Sequence, residues 1–105
     1  MVRGDVHAIT LPGRRGRVQH GLRYAVVVQA DGFSALSTVV VCPTSRSAPW
    51  TSFHPEVTVL GDATRVMCEM VGAVDAGALG EYVGHLPLDE LRAVEDALRL
   101  VLDLR

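Results

Sequence analysis

The side chains of this chain that could do chemistry are its arginines, four histidines, two cysteines and a scatter of hydroxyl and acid groups. Lysine is absent, so every cation is a planar guanidinium fork, which suits phosphate better than a point charge does. Residues 1–55 carry Arg3, Arg14, Arg15, Arg17, Arg23 and Arg46 against Asp5 and Asp31, a balance of +4. Residues 56–105 carry four arginines against ten acids, a balance of −6. The near-neutral total of −2 therefore hides a basic half concentrated in loops, which reads as a phosphate footprint.

Other chemistries fit poorly. His7, His20, His54 and His85 show no pairing at metal-ligand spacing, and neither CxxC nor HExxH occurs. No metal or other cofactor is expected. Pro12-Gly-Arg-Arg-Gly-Arg17 has two glycines but matches neither GxGxxG nor a Walker loop, which needs a lysine. It is either a loop that touches phosphates or a solvated one. No GxSxG is present, and Ser34, Ser37, Ser45, Ser47 and Ser52 read as turn and loop residues, so covalent catalysis is not supported. What remains is Arg23 with Thr44. On residue type alone these are a strand-end cation and a turn cap after Pro43.

The elements that must position them are mostly strands. The 105 residues suffice for one domain, 1–105, and 49% of them are apolar, enough to fold around one modest core. Val6 to Leu11 alternates loosely and reads as a first strand, followed by a basic, Gly-punctuated loop to about Gly21. Tyr24 to Gln29 is a second strand, and its unbroken Val26-Val-Val28 run implies burial on both faces. Asp31-Gly32 supplies a turn. Thr38 to Cys42 is a third valine-rich strand, and Pro43 is expected to end it. After a polar loop containing Trp50 and Phe53, Glu56 to Leu60 alternates with Val57 and Val59 on one side. Gly61-Asp62 turns, Arg65 to Val74 reads as one strand, and Tyr82 to Leu86 as a short last one. From Leu88, the residues Leu91, Val94, Leu98, Val101 and Leu102 recur at helical spacing, with Pro87 just ahead and Glu95–Arg99 as an i,i+4 pair. The plan is mostly β, or α+β, with one C-terminal amphipathic helix. No run reaches the roughly 20 apolar residues of a membrane span, and Asp5 and His7 interrupt any signal-peptide pattern, so a cytoplasmic protein with reduced, buried Cys42 and Cys68 is expected.

The pieces, in order, are Arg3-Gly-Asp-Val6, Gly21-Leu-Arg23 before Val26-Val-Val28, Val39-Val-Val-Cys-Pro-Thr-Ser45, Glu69-Met-Val-Gly-Ala-Val-Asp75, and Val83-Gly-His-Leu86 leading into the helix. None is specific alone. Their order and spacing together resemble the MazF/PemK family of toxin endoribonucleases over almost the whole chain. The resemblance implies a small SH3-like, CcdB/PemK-type barrel that forms a homodimer, cleaves single-stranded RNA without metal and is neutralised by a cognate antitoxin. The antitoxin's acidic tail would lie on the basic half.

The resemblance also places the catalytic arginine on Arg23 and the catalytic threonine on Thr44. The reaction it implies is attack of the ribose 2′-hydroxyl on the adjacent phosphate, giving a 2′,3′-cyclic phosphate and a 5′-hydroxyl. Arg23 suits charge stabilisation and is a poor general base, since a guanidinium does not deprotonate near neutrality. Thr44 can donate to a non-bridging oxygen. His20, three residues before Arg23 and titrating in the useful range, is the candidate acid or base. Arg14, Arg15, Arg17, Gln19, Ser45, Arg46, Trp50 and Glu69 are the candidate RNA-binding residues, with Trp50, Phe53 and Tyr24 able to stack on splayed bases. This chain departs from its relatives at Val18, where a loop acid is missing, at Tyr24 in place of proline, at Met70 in place of glutamine and at Gly72 in place of arginine. Altered cleavage specificity is therefore expected. The alternatives are a non-catalytic, CcdB-like toxin that binds a protein target such as gyrase, and a decayed relative that keeps only its RNA- or antitoxin-binding surface.

Overall fold

β-branched residues set the centre of the sheet. The computed structural model describes residues 1–9 and 23–105. Within them the order is β1 (Asp5–Ile9), β2 (Arg23–Val27), β3 (Thr38–Ser45), β4 (Glu56–Val59), β5 (Asp62–Val66), β6 (Gly72–Asp75), β7 (Leu79–His85) and the helix α1 (Leu88–Leu102). The strands pair antiparallel in the order β4-β5-β3-β2-β1-β7, with β6 also on β3. The sheet curls until its ends approach: Thr58 to Leu60 and Val83 to Leu86 flank one small gap of about 70 Å³. This is the mostly-β, SH3-like barrel with a C-terminal helix expected from the sequence, and the structure shows it half-open.

The valine run of β2 is buried on both faces, as expected. Val26 and Val28 point into the barrel with Cys42, Val57, Val66 and Cys68, where Val94, Ala97 and Leu98 of α1 close over them. Ala25 and Val27 join Ile9, Val39 and Val41 on the other face, with Val74 and Leu79 packed against them. Each buried valine contributes about 1.5–3 kcal/mol relative to exposure, so β2 and β3 are anchored from both sides. Cys42 and Cys68 are free thiols inside the core.

Three local expectations are corrected. Pro43 does not end β3, which runs on to Ser45. In a strand, N and C=O of one residue point the same way, and the Pro43 carbonyl accepts from the Met67 N–H at 2.9 Å. The ring nitrogen therefore faces the gap between β5, which pairs with Thr44 and Ser45, and β6, which pairs with Thr38 to Val41. No ladder bond is lost there. The stretch Arg65 to Val74 is accordingly not one strand, because a 3-10 turn at Cys68–Met70 separates β5 from β6. Glu95 does not pair with Arg99 either: Glu95 takes Arg3 at 3.1 Å, and Arg99 takes Asp96 at 2.9 Å.

The Arg3-Gly-Asp segment ties four elements together. Arg3 donates through Nε to Glu95 on α1, through its guanidinium to the Val28 carbonyl after β2, and through its backbone N–H to Asp31 at 2.7 Å. Gly4 donates to the Val27 carbonyl at 2.8 Å and accepts from the Leu86 N–H at 2.9 Å. Asp5, only 6% exposed, accepts from the Val2 N–H at 2.8 Å and from His85 Nδ1 at 2.9 Å. Burial raises its carboxyl pKa, but the Val2 and His85 hydrogen bonds outweigh that and hold it below the ordinary value.

A second tie holds the connection between β3 and β4. His54 is 5% exposed. Its Nδ1 lies 2.8 Å from the Pro49 carbonyl, and its Nε2 lies 2.8 and 2.9 Å from the two Glu69 oxygens. Both neighbours accept, so both contacts are satisfied together when the two ring nitrogens carry protons, the imidazolium form. Burial opposes that charge, but Glu69, ahead of the Pro49 carbonyl, more than offsets it and raises the pKa. The clamp fixes the backbone beside Trp50 to the 3-10 turn that follows β5.

Two predictions follow from these ties. Gly4 has φ +95°, and an added Cβ would stand 2.9 Å from His85 Cε1. Gly4→Ala should cost about 1–3 kcal/mol in urea unfolding; a loss below about 0.5 kcal/mol would show that the segment adapts freely. For His54 the folded pKa lies above the unfolded one, so its stabilisation is complete below the unfolded value and disappears as pH rises through the folded value. The stability gap between wild type and His54→Gln should therefore be widest near about pH 6 and narrow by about pH 9. A gap that is constant or widens with pH would contradict the clamp.

Candidate active site

The pairing of β2 with β3 aligns Ala25 with Pro43, Val26 with Cys42 and Val27 with Val41. One step further along this register sets Tyr24 across from Thr44, and the Thr44 hydroxyl donates to the Tyr24 carbonyl at 3.2 Å. The next step brings Arg23, the first residue of β2, beside Ser45, the last of β3. On the other edge of β3, Thr44 pairs with Val66 and Ser45 with Arg65.

Residues 42 and 44 alternate onto one face of β3, and Arg46 follows at the bend just past its end. Cys42 lies in the core, Thr44 is 4% exposed and Arg46 is open to solvent. The apolar interior of the barrel thus grades into a polar mouth. That mouth is a cleft of about 410 Å³. Arg23 and Tyr24 form one wall, Thr44, Ser45, Arg46 and Ser47 the floor, and Val59, Asp62 and Thr64 the other wall. The second wall is the β4–β5 hairpin, where Val59 pairs with Asp62. The turn between them is Leu60-Gly61, at φ 52° and 82°, two successive left-handed residues that tighten it. The sequence placed this turn one residue late, at Gly61-Asp62, and so read Asp62 as a turn residue when it opens β5 and faces the cleft.

The electrostatics of the cleft are uneven. Among the described residues, Arg23 takes part in none of the ion pairs. The residue is half-buried at the rim. Arg46 donates to Asp62 at 2.6 Å, in a pair whose side chains are 71% and 59% exposed. The Thr44 hydroxyl bond is long for O–H···O, so an incoming acceptor can capture that donor at small cost. Ser45 and Ser47 share a hydrogen bond at 3.1 Å.

The structure brings together Arg23, Thr44, Ser45 and Arg46 among the candidate residues, with Tyr24 beside them. Trp50 and Glu69 do not line the cleft. His54 instead ties Glu69 to the Pro49 carbonyl just before Trp50, whose ring is 78% exposed at the loop tip. His20, Gln19, Arg14, Arg15 and Arg17 lie outside the described residues. Sequence reasoning missed Asp62 and Thr64 as cleft residues, and it weighed His54 only as a metal ligand. The alternation Asp62-x-Thr64-x-Val66 was the available signal for the first two.

Comparison with known proteins agrees with this architecture. Residues 2–102 match the family described as PemK-like, MazF-like toxin of type II toxin-antitoxin system. A toxin candidate of Mycobacterium tuberculosis, Rv3098A, is 35% identical over 106 residues, covering 99% of each chain. Among solved structures, a mycobacterial endoribonuclease in complex with its cognate antitoxin superposes with TM-score 0.84 at 16% identity, covering 100% of this chain and 97% of that one. MazF from Deinococcus radiodurans gives TM-score 0.82 at 20% identity, covering 99% and 97%. At such identities the structural likeness speaks for the fold, while the family match and the curated relative speak for descent. With the cleft at the barrel mouth and matches spanning nearly its full length, the chain belongs to the PemK-like, MazF-like toxin family of type II toxin-antitoxin systems.

Proposed function

We propose that this protein is a toxin endoribonuclease that cuts single-stranded RNA at a short sequence, without metal, leaving a 2′,3′-cyclic phosphate and a 5′-hydroxyl. The observation that carries the reading is the convergence of Arg23 and Thr44 in one cleft of a chain of this family. The cleft supplies the donors that the reaction needs. Arg23 brackets two oxygens of the scissile phosphate and offsets the charge that builds as the 2′-oxygen attacks. Thr44 turns its hydroxyl from the Tyr24 carbonyl to a non-bridging oxygen. The two hold the phosphate in line between attacking and leaving oxygens. His20 carries the proton. Arg14, Arg15, Arg17, Gln19, Ser45 and Arg46 grip the flanking backbone, and the exposed Trp50 offers a face on which a base stacks.

The partners follow from the same reading. Relatives include a mycobacterial endoribonuclease solved with its cognate antitoxin and MazE-MazF complexes from Deinococcus radiodurans. For this chain the partner is an antitoxin whose acidic segment competes with RNA for the arginines. The active unit is a homodimer acting in the cytoplasm. Exposed Tyr82, Leu88, Leu100 and Leu104 are apolar surface that a second copy can cover.

The test is incubation of the purified protein with a long mixed-sequence RNA in EDTA, followed by mapping of the ends. Discrete cuts bearing cyclic phosphate are expected. Arg23→Ala and Thr44→Val should each lower the rate by about 10²–10³-fold, the usual cost of one donor to a developing charge. His20→Asn should cost at least about tenfold and flatten the pH–rate profile near neutrality. No cutting at micromolar protein, or cutting untouched by Arg23→Ala, would sink the reading and turn attention to a toxin that only binds a protein target.

A further inference from the structure

The cleft contains a group that a phosphate site should exclude. Asp62 is, among the described residues, the one carboxylate lining it. It faces the same space as Arg23, in a cleft proposed to bind a polyanion. A carboxylate there repels the RNA backbone unless it meets something else. Stability does not account for it. The pair with Arg46 is highly exposed on both sides, and such pairs contribute little.

The geometry leaves both partners only partly used. A single contact joins them, Arg46 Nη2 to Asp62 Oδ2 at 2.6 Å. Among the described residues, Asp62 Oδ1 has no donor. Among the same residues, the other N–H groups of Arg46 have no acceptor. The hairpin that carries Asp62 is rigid: its turn is two residues long, and β5 is tied on through Ser45↔Arg65 and Thr44↔Val66. Arg46 stands two residues beyond Thr44, at the bend just past the end of β3, and two residues of chain span at most about 7 Å. That is comparable to one step along an extended RNA strand.

We infer that Asp62 and Arg46 form a nucleotide subsite next to the scissile phosphate, in which Arg46 holds the neighbouring phosphate and Asp62 reads the Watson–Crick edge of its base. The inference rests on the RNA reading above and assigns it a substrate class. A carboxylate only accepts hydrogen bonds. Guanine presents two adjacent donors, N1–H and the N2 amine, and fits a carboxylate with both oxygens in use. Adenine and cytosine offer one exocyclic amine beside a ring acceptor. Uracil flanks its single N–H with two carbonyls and is repelled. The subsite therefore selects guanine and rejects uracil.

Binding tests this without cleavage. Hexamers UUGUUU, UUIUUU (with inosine, which lacks the N2 amine) and UUUUUU, all with 2′-fluoro sugars that cannot attack, are titrated against wild type, Asp62→Asn and Arg46→Ala. Wild type should bind the guanine hexamer about tenfold or more tighter than the uracil one, with inosine between. Asp62→Asn should shrink that ratio to about twofold or less. Arg46→Ala should weaken all three similarly and lower the salt slope by about one. A guanine preference unchanged in Asp62→Asn, no base preference in wild type, or no binding at all would overturn the inference. RNA cutting with an unchanged base preference in Asp62→Asn sinks this subsite alone. An Asp62-dependent guanine preference without any cutting sustains the subsite and sinks the nuclease reading.

Discussion

The pairing of β2 with β3 is the constraint on which the rest of the molecule depends. Its three registered pairs are built from residues sealed on both faces, by the barrel interior on one side and by Ile9, Val39, Val74 and Leu79 on the other. A slip of β2 by one residue against β3 would turn Val26 and Val28 out of the interior and swing Ala25 and Val27 into it, breaking the packing on both faces. The ladder is therefore fixed in the core, and its end at the barrel mouth is fixed with it. Arg23 and Thr44 inherit their proximity from valines that take no part in any chemistry.

The two ends of that ladder do different work. At one end, Arg3, Gly4 and Asp5 knit β1 to the exit of β2, to the β7–α1 junction and to the helix through Glu95. The signature at the N-terminus is thus a structural knot, built around a left-handed glycine and a buried carboxylate. At the other end the interior opens, burial falls from Cys42 through Thr44 to Arg46, and polar groups face a cleft with partners to spare. Stability is concentrated where the helix caps the barrel, and unsatisfied donors where a ligand would enter. His54 adds a third fixed point by anchoring the Trp50 loop to the turn at Glu69.

Much of this was legible in the residues. The valine runs gave double-sided strands, the alternation of Val57 and Val59 gave a half-buried one, and the helical spacing after Pro87 gave α1 to within its observed start at Leu88. What stayed hidden depended on geometry across the sheet. Pro43 reads as a strand end because a missing donor is usually fatal to a ladder. Here its nitrogen faces the break between two neighbouring strands, which no local pattern reveals. Glu95 reads as a helix-surface partner for Arg99, and only the fold brings Arg3, 92 residues away in the chain, into reach. Asp62 looks like a turn residue until the hairpin shifts by one. His54 and Glu69 are unremarkable in isolation, since their pairing requires the 3-10 turn that splits β5 from β6.

The central claim is that Arg23 and Thr44 act together on one phosphate. A double-mutant cycle on the cleavage rate tests it most directly, with Arg23→Ala, Thr44→Val and the pair measured on one RNA under one set of conditions. If both grip the same phosphate, losing either spoils the alignment that the other relies on. The double variant should then be slowed by much less than the product of the two single losses. Losses that multiply would mean that the two residues act independently, and that the cleft is not the single catalytic unit described above.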